Sequence, residues 1–199
     1  MIARDVIRRD IRARRRALEE RERLRLSREA SQSFSRHRLF HAARHIGCYL
    51  PNDGELDRTP LILQAWRMGK RVYLPVLSTI HRDHLLFAPF APETELLSNR
   101  FGIPEPVAAL RHCISLARLD LVLAPLVAFD REGNRLGMGG GFYDRTFAFL
   151  RRRECWFKPS LVGMAYGFQQ VKSLERQRWD VPLQGVITER GFRSFSVAR

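Results

Sequence analysis

The stretch over residues 120–150 constrains the fold more than any other part of the chain. It opens with an almost unbroken apolar run at residues 120–129, passes through a polar turn, and reaches a group of glycines at residues 137–141. An apolar run without alternation is typical of a strand buried on both faces, as in a parallel sheet, and Pro125 marks its end or a bulge. An amphipathic helical pattern begins at Phe142. Strand, Gly-rich loop and helix in this order predict an α/β fold.

The Gly-rich loop is chemically suited to binding phosphate. Glycines let backbone N–H groups approach an anion, and a helix N-terminus carries a partial positive charge. The spacing matches neither the dinucleotide fingerprint G-x-G-x-x-G nor a P-loop, so the loop alone is as typical of a tight structural turn as of a phosphate cradle. Arg135 before it and Asp144 after it favour the cradle. The arginine can pair with phosphate oxygens and the carboxylate can hold Mg2+.

Residues 135–144 read RLGMGGGFYD and resemble the signature of the 5-formyltetrahydrofolate cyclo-ligase family, whose enzymes are also called methenyltetrahydrofolate synthetases. The family pattern is roughly R-L-G-x-G-x-G-[FY]-Y-D, and every position is satisfied. The resemblance implies a Rossmann-like fold related to the ribose-phosphate isomerase and CoA-transferase group. We therefore expect one domain over residues 1–199, with three layers, a mostly parallel sheet flanked by helices, and a smaller antiparallel part.

The resemblance also implies a reaction. Enzymes of this family convert 5-formyltetrahydrofolate to 5,10-methenyltetrahydrofolate with ATP and Mg2+, and they release ADP and phosphate. The formyl oxygen is a poor leaving group, so the γ-phosphoryl group is transferred onto it and the N-10 nitrogen of the folate then closes the ring. Positioning and charge neutralisation would be the protein's contribution, and no nucleophilic triad is expected.

Individual residues take roles from the same resemblance. Residues 4–18 match the opening helix of the family, whose phosphate-binding positions fall on Arg4 and Arg8, although Arg4 replaces the usual lysine. Glu55, in the segment G-E-L-D, takes the folate-binding role, since a carboxylate can pair with the N–H donors of a pterin edge. Asp144 and Asp180 take the Mg2+ role.

The Gly-rich signature supplies the remaining candidates. Catalytic roles fall on Arg135 and Tyr143. The ATP-binding set, besides Arg4 and Arg8, is Arg135, Leu136, Gly137, Met138, Gly139, Gly140, Gly141, Phe142 and Tyr143. The folate-binding set, besides Glu55, is Met138, Gly139, Gly140, Gly141 and Phe142. Met138 and Gly140 stand where some family members carry basic residues, and Arg145 is the candidate that replaces this charge.

Local patterns predict the other elements. Residues 4–26 contain good helix formers without Gly or Pro and predict one long basic helix, followed by a second helix from Ser27 to about residue 43. Strands are predicted at residues 45–50, 70–75, 85–90, 160–166 and 185–188, and residues 93–106 are predicted as loop. A helix from Thr59 and Pro60 to Gly69 would complete a βαβ unit.

Two functions other than the cyclo-ligase reaction are alternatives. A formal net charge of +14 makes polyanions candidate partners, and the arginine-rich first helix could face RNA. No RNP, KH, zinc-finger or basic-zipper pattern accompanies it. The second alternative is a sugar-phosphate isomerase on the same fold, which would need a carboxylate base beside the sugar phosphate.

The sequence also indicates where in the cell the protein acts. The longest apolar run is about ten residues, and a helix needs about 20 to span a bilayer. The first residues are basic and lack the apolar core of a signal peptide. Cys48, Cys113 and Cys155 form no CxxC pair, as is usual for reduced thiols. We expect a cytoplasmic monomer that acts on a reduced folate and ATP, with no membrane contact and no requirement for nucleic acid.

Overall fold

The computed structural model describes residues 3–81, 83–152 and 158–195. The strands are β1 (His45–Gly47), β2 (Arg71–Leu77), β3 (Leu85–Phe90), β4 (Leu96–Ser98), β5 (Pro104–Pro106), β6 (Leu121–Ala124), β7 (Ala128–Phe129), β8 (Arg135–Leu136), β9 (Ser160–Met164), β10 (Gly185–Thr188) and β11 (Gly191–Ser194). The helices are α1 (Arg4–Arg16), α2 (Glu20–Ser35), α3 (Arg38–Ala42), α4 (Thr59–Arg67) and α5 (Phe142–Thr146). Short 3₁₀ turns lie at Leu110–His112, Leu116–Arg118, Ala148–Arg151 and Gly167–Gln169.

Seven strands form the main sheet in the order β11-β10-β9-β6-β1-β2-β3. The five inner strands are parallel, and β3 and β11 run antiparallel at the two edges. Two small antiparallel pairs, β4 with β5 and β7 with β8, lie outside this sheet. The expected mostly parallel sheet with an antiparallel part is therefore confirmed.

Strand β6 shows why the sheet has helices on both faces. Leu121 and Leu123 pack in a core that contains Phe34 of α2 and Leu61 of α4. Val122 and Ala124 pack in a second core with Phe147 and Leu150, which follow α5. Successive side chains of a strand point to opposite faces, so this run must be apolar at every position. The prediction of a doubly buried strand is confirmed.

The topology also places the candidate site. Strands β1 and β6 are neighbours and parallel, with Ile46 opposite Leu121. The chain therefore leaves both strands at the same edge of the sheet. After β1 it forms the turn that carries Glu55, and after β6 it forms β7, β8 and the Gly-rich loop. Ligands of such sheets bind at this carboxyl edge.

The prediction of one helix over residues 4–26 is wrong. Helix α1 ends at Arg16, α2 begins at Glu20, and Leu18 between them packs against the first core. Ser27 does not cap a helix: it lies inside α2, where its hydroxyl donates to the Arg23 carbonyl at 2.7 Å. No Gly or Pro marks the break. Tertiary packing, rather than helix propensity, ends α1.

Other boundaries differ by smaller amounts. Residues 93–106, predicted as loop, contain the β4–β5 hairpin. Strand β1 ends at Gly47, and the edge strand β11 was not predicted. Arg58, not Thr59, is the N-cap residue of α4, whereas Gly69 has the expected positive φ of 66° just after the helix. No helix among the described residues is long and apolar enough to cross a bilayer.

Candidate active site

The Gly-rich loop joins β8 to α5 with an exposed backbone. Gly139 and Gly141 have φ of 108° and 66°, a region that side chains with a Cβ atom rarely adopt. Residues 138–140 are exposed, and Gly141 is the N-cap residue of α5. A Cβ atom at Gly137 would meet nothing within 4 Å. The loop therefore presents accessible backbone N–H groups at its surface, as a phosphate cradle requires.

Helix α1 brings Arg8 to this loop and Arg4 to Asp180. The Arg8 Nε donates to the Gly137 carbonyl at 3.0 Å. One Arg4 Nη atom donates to the Asp180 carboxylate at 2.9 Å and to the Glu175 carbonyl at 2.8 Å. Both guanidinium groups thus lie beside residues that are far away in sequence. The structure brings the two predicted phosphate-binding residues of the first helix to the predicted site.

A buried arginine lies between the two predicted metal ligands. The Arg135 side chain is 4% exposed, and its Nη2 atom donates to Asp144 Oδ1 at 2.6 Å. Its other Nη atom donates to the Val181 carbonyl, and the Val181 N–H donates back to Asp144 at 3.0 Å. Burial lowers the pKa of Arg135, and the charges of Asp144 and Asp180 oppose that shift. Arg135 therefore fixes Asp144 beside the segment that carries Asp180.

Glu55 lies in a second group of side chains, more deeply buried than the loop. Its side chain is 9% exposed, and its two oxygens lie 3.6 Å from Arg15 Nη1 and 3.8 Å from Arg58 Nη2. The Asn52 N–H donates to Oε2 at 3.2 Å. Burial raises the pKa of Glu55 to about 7, against the charge of Arg15. The carboxylate is thus held in place but keeps few hydrogen bonds of its own.

Tyr143 lies near both groups of side chains. Its hydroxyl is buried and has no hydrogen-bond partner among the residues that the structure describes. Burial raises the pKa of the phenol, and Arg58, Glu55 and Arg135 are all close enough to influence it. The phenol is therefore a neutral donor at pH 7. Phe142, its neighbour, packs edge-on against Phe101 with ring centroids 5.8 Å apart.

Comparison with known proteins identifies this arrangement. The model of the 5-formyltetrahydrofolate cyclo-ligase family matches residues 1–189. The chain belongs to this family. The 5-formyltetrahydrofolate cyclo-ligase of Escherichia coli is 44% identical over 178 residues, which cover 89% of this chain and 96% of that protein. The protein of the same name from Haemophilus influenzae is 43% identical over 163 residues, covering 80% of this chain and 85% of that protein.

A solved structure agrees with the family. The NMR structure of the 5,10-methenyltetrahydrofolate synthetase of Aquifex aeolicus superposes with a TM-score of 0.81 at 32% identity. The superposition covers 100% of this chain and 95% of that one. The fold expected from the resemblance to the cyclo-ligase family is thereby confirmed.

The cyclo-ligase candidates fall into two groups in the structure. The first group is linked by hydrogen bonds around the Gly-rich loop and consists of Arg4, Arg8, Arg135, Asp144 and Asp180. The second is Glu55, and Tyr143 is close enough to Glu55 and to Arg135 for both to influence its pKa. Met138 is 52% exposed on the loop. The Leu136 side chain is buried against Ala128 and Leu174, so it supports the loop and leaves only its backbone for a ligand.

The RNA alternative finds no support in the first helix. Arg15 is fully buried, and Arg12 pairs with Asp53 at 2.6 Å. Arg4 donates to Asp180 and Arg8 to the Gly137 carbonyl of the loop. The face predicted as solvated or RNA-facing is therefore an intramolecular contact. Membership of the cyclo-ligase family likewise replaces the sugar-phosphate isomerase alternative.

Two buried arginines were not recognised from the sequence. Arg58 received no role, and Arg15 was considered only as part of the arginine-rich first helix that could face RNA. Both are 0% exposed in the structure. The sequence indicated a role for Arg58 only by its position directly after the G-E-L-D segment. That indication is weak, because a charged residue between a turn and a helix usually lies at the surface.

Proposed function

We propose that this protein catalyses the ATP- and Mg2+-dependent conversion of 5-formyltetrahydrofolate to 5,10-methenyltetrahydrofolate, with the ATP phosphates on the Gly-rich loop and the pterin in the Glu55 pocket. By its family the protein is an ATP-dependent ligase of folate metabolism. One observation carries the assignment of the pockets: α1 places Arg8 on the Gly-rich loop and Arg4 on Asp180, next to the Arg135–Asp144 pair that flanks the loop.

The ATP site would combine three cations with the loop amides. Arg4, Arg8 and Arg135 neutralise phosphate oxygens, and the backbone N–H groups of residues 136–141 donate to them. Arg145 is a fourth cation, because one of its Nη atoms donates to the Gly140 carbonyl at 2.5 Å and its side chain is 42% exposed. It supplies the charge that Met138 and Gly140 lack.

The donor set at Asp144 and Asp180 fits Mg2+. Mg2+ prefers carboxylate oxygens together with phosphate and water, and two acids held next to each other by Val181 supply such donors. No group of three or more acidic, His or Cys side chains that could hold a metal occurs within residues 3–81, 83–152 and 158–195. When bound, Mg2+ would neutralise the oxygens of the transferred phosphoryl group. Nucleotide oxygens would therefore complete its coordination.

Different residues of the chain serve different steps of the proposed reaction. Arg8 and Arg135 hold the γ-phosphoryl group in line with the formyl oxygen, which attacks it and releases ADP. Tyr143, as a neutral phenol between the pockets, donates a hydrogen bond to the reacting oxygens. Glu55 holds the pterin so that the N-10 nitrogen can attack the formyl carbon. That nitrogen loses its proton, the carbon–oxygen bond breaks, and inorganic phosphate leaves.

Three further features of the protein are proposed with this function. Residues 1–199 act as a single domain, since one sheet separates the two cores. A monomer suffices, because both pockets are built by the one chain. Free thiols at Cys48 and Cys113 support a cytoplasmic location, while Cys155 lies outside the described residues.

The proposed activity has a direct test. Purified protein is mixed with 5-formyltetrahydrofolate, ATP and Mg2+, and the absorbance of the methenyl product is followed while each component is omitted in turn. We expect product only when all three are present. A folded protein that binds ATP but forms no product would contradict the assigned substrate while leaving the nucleotide site intact.

Metal binding is expected to depend on the nucleotide. Arg4 and Arg135 already pair with Asp180 and Asp144, so a metal ion must displace an arginine from each carboxylate unless phosphates attract the arginines away. Arg4→Gln should therefore bind Mn2+ in the absence of nucleotide about tenfold more tightly than the wild type, within the usual range of coupling between sites. Electron paramagnetic resonance of free Mn2+ measures this affinity. Arg9→Gln, which changes an exposed arginine of α1, is the control, and equal Mn2+ affinity in all three proteins would contradict the exchange.

Glu55 should make stability depend on pH. Because its pKa is raised from 4.5 to about 7, the folded state favours the protonated form. The stabilisation is complete below the ordinary pKa and is lost as the pH rises through about 7. Relative to Glu55→Gln, which cannot ionise, the wild type should lose on the order of 3 kcal/mol of unfolding free energy between pH 4 and 8. Urea denaturation at several pH values measures the difference, and parallel pH curves would contradict the raised pKa.

A further inference from the structure

Arg58 has no part in the assignments above, although it lies beside Glu55. It is the N-cap residue of α4 and is 0% exposed. Its Nη1 atom donates to the Leu56 carbonyl at 2.6 Å. Within the described part of the chain its Nε and Nη2 atoms are buried without a hydrogen-bond partner, and a Glu55 carboxylate oxygen is 3.8 Å from Nη2. Buried guanidinium donors are normally paired, because an unpaired one costs desolvation energy.

The surroundings hold this guanidinium in a fixed orientation. Its Cζ atom lies 3.4 Å from the ring centroid of Tyr49, a cation–π contact that leaves the edge of the guanidinium plane free to donate. The hydroxyls of Tyr49 and Tyr143 are also buried and unpaired. Tyr143 and Arg15 are close enough to Arg58 to influence its pKa, and Glu55 is 3.8 Å from Nη2, so these buried groups are neighbours. The region thus contains a group of donors that no described residue satisfies.

We propose that Arg58 is a substrate-positioning residue that donates from Nη2 and Nε to the carbonyl oxygen of the pteridine ring. This role rests on the proposed binding of the pterin by Glu55. A reduced folate carries adjacent ring N–H and amino donors, and the ring carbonyl lies next to them. A carboxylate and a guanidinium side by side complement that edge, since Glu55 accepts from the donors and Arg58 donates to the oxygen.

The incompletely compensated charge of Arg58 supports a role in binding a hydrogen-bond acceptor of the ligand. Burial lowers the pKa of its guanidinium to about 9, so it is still a cation at pH 7 but an incompletely compensated one. Arg15, the other fully buried arginine, pairs Nη2 with Asp53 at 2.8 Å and Nη1 with the Leu126 carbonyl at 3.5 Å, so that only its Nε lacks a partner among the described residues. In Arg58 two of the three nitrogens lack one. Arg58 therefore destabilises the folded chain and gains its partner from the ligand.

Arg58→Met is the decisive variant, because methionine fills a similar volume without a charge. We expect the KM for 5-formyltetrahydrofolate and its calorimetric Kd to rise about 10–100-fold, the effect of losing hydrogen bonds to a charged group. The kcat and the KM for ATP should stay within about twofold, and the Tm should be unchanged or higher, since removing an unpaired buried charge does not weaken the fold. Arg25→Met, which changes an exposed arginine of α2, should alter none of these quantities.

An altered folate tests the contact between Arg58 and the ring carbonyl. An analogue with an amino group in place of the ring carbonyl should bind more weakly than 5-formyltetrahydrofolate to the wild type, and Arg58→Met should reduce that discrimination at least fivefold. Wild-type folate affinity in Arg58→Met, or undiminished discrimination, would overturn the proposal. If Arg58→Met does not fold, Arg58→Gln is titrated instead, and unchanged affinity in that variant would overturn it equally. A wild type that binds no folate would remove the proposed function itself, and with it this role.

Discussion

Asp144→Asn is expected to lower turnover by about 100-fold or more at saturating ATP and Mg2+, in the range found for removing one preorganised charge at a reacting phosphoryl or acyl group. The affinity for 5-formyltetrahydrofolate should stay within about threefold of the wild type. The reason is that the Asp144 carboxylate lies beside the Gly-rich loop, whereas Glu55, to which we assign the folate, lies in the other pocket.

The structure gives Asp144 two functions that this substitution separates. Its Oδ1 atom accepts the Val181 N–H, and an asparagine oxygen can still do so. Its negative charge compensates the buried Arg135 and would hold Mg2+, and an asparagine can do neither. The backbone near Asp180 should therefore stay in place while the electrostatics of phosphoryl transfer are lost.

The measurement combines kinetics with binding. Turnover is followed by the absorbance of the methenyl product, folate affinity by calorimetry, and folding by thermal denaturation. Asp10→Asn, which changes an exposed acid of α1, is the matched control and should retain full turnover. Turnover like that of the wild type at saturating Mg2+ would remove Asp144 from the metal role, and a large fall in Tm with loss of both ligands would assign it a structural one.

The parts of the site that could be predicted from the sequence are local ones. Arg135, Asp144 and the glycines between them lie within ten residues, so the pattern of a strand, a loop and a helix already places them together. Arg8 reaches Gly137 across 129 residues of sequence, and only the resemblance to a family linked the two. Periodicity could place the Arg8 face of α1 but could not identify what covers it.

Buried charge is the feature that sequence reasoning missed. Arg15 and Arg58 are 0% exposed, yet in sequence each stands among polar residues that predict a surface. Their burial depends on Asp53 and Glu55, which the turn after β1 brings against α1 and α4. The break between α1 and α2 has the same origin, because Leu18 leaves the helical path to pack against the core. Both features depend on tertiary contacts that no local propensity encodes.

Glu55→Ala is expected to weaken the binding of 5-formyltetrahydrofolate by about 100-fold, the combined effect of two charge-assisted hydrogen bonds. The affinity for ATP should change less than about threefold, because the loop pocket keeps all of its charges. The carboxylate is 9% exposed and is held by the Asn52 N–H and two guanidinium groups, so its oxygens are already oriented before the ligand binds.

The two arginines beside Glu55 determine how the effect of Glu55→Ala on binding must be measured. Removing Glu55 leaves Arg15 and Arg58 close together with less compensation, so some loss of stability will accompany the loss of binding. Calorimetric titrations with each ligand separately, below the Tm of the variant, distinguish the two effects, and Glu20→Ala on the exposed face of α2 is the control. A selective loss of folate affinity places the pterin at Glu55. Equal losses for folate and ATP would instead make Glu55 a structural residue that holds the two buried arginines together.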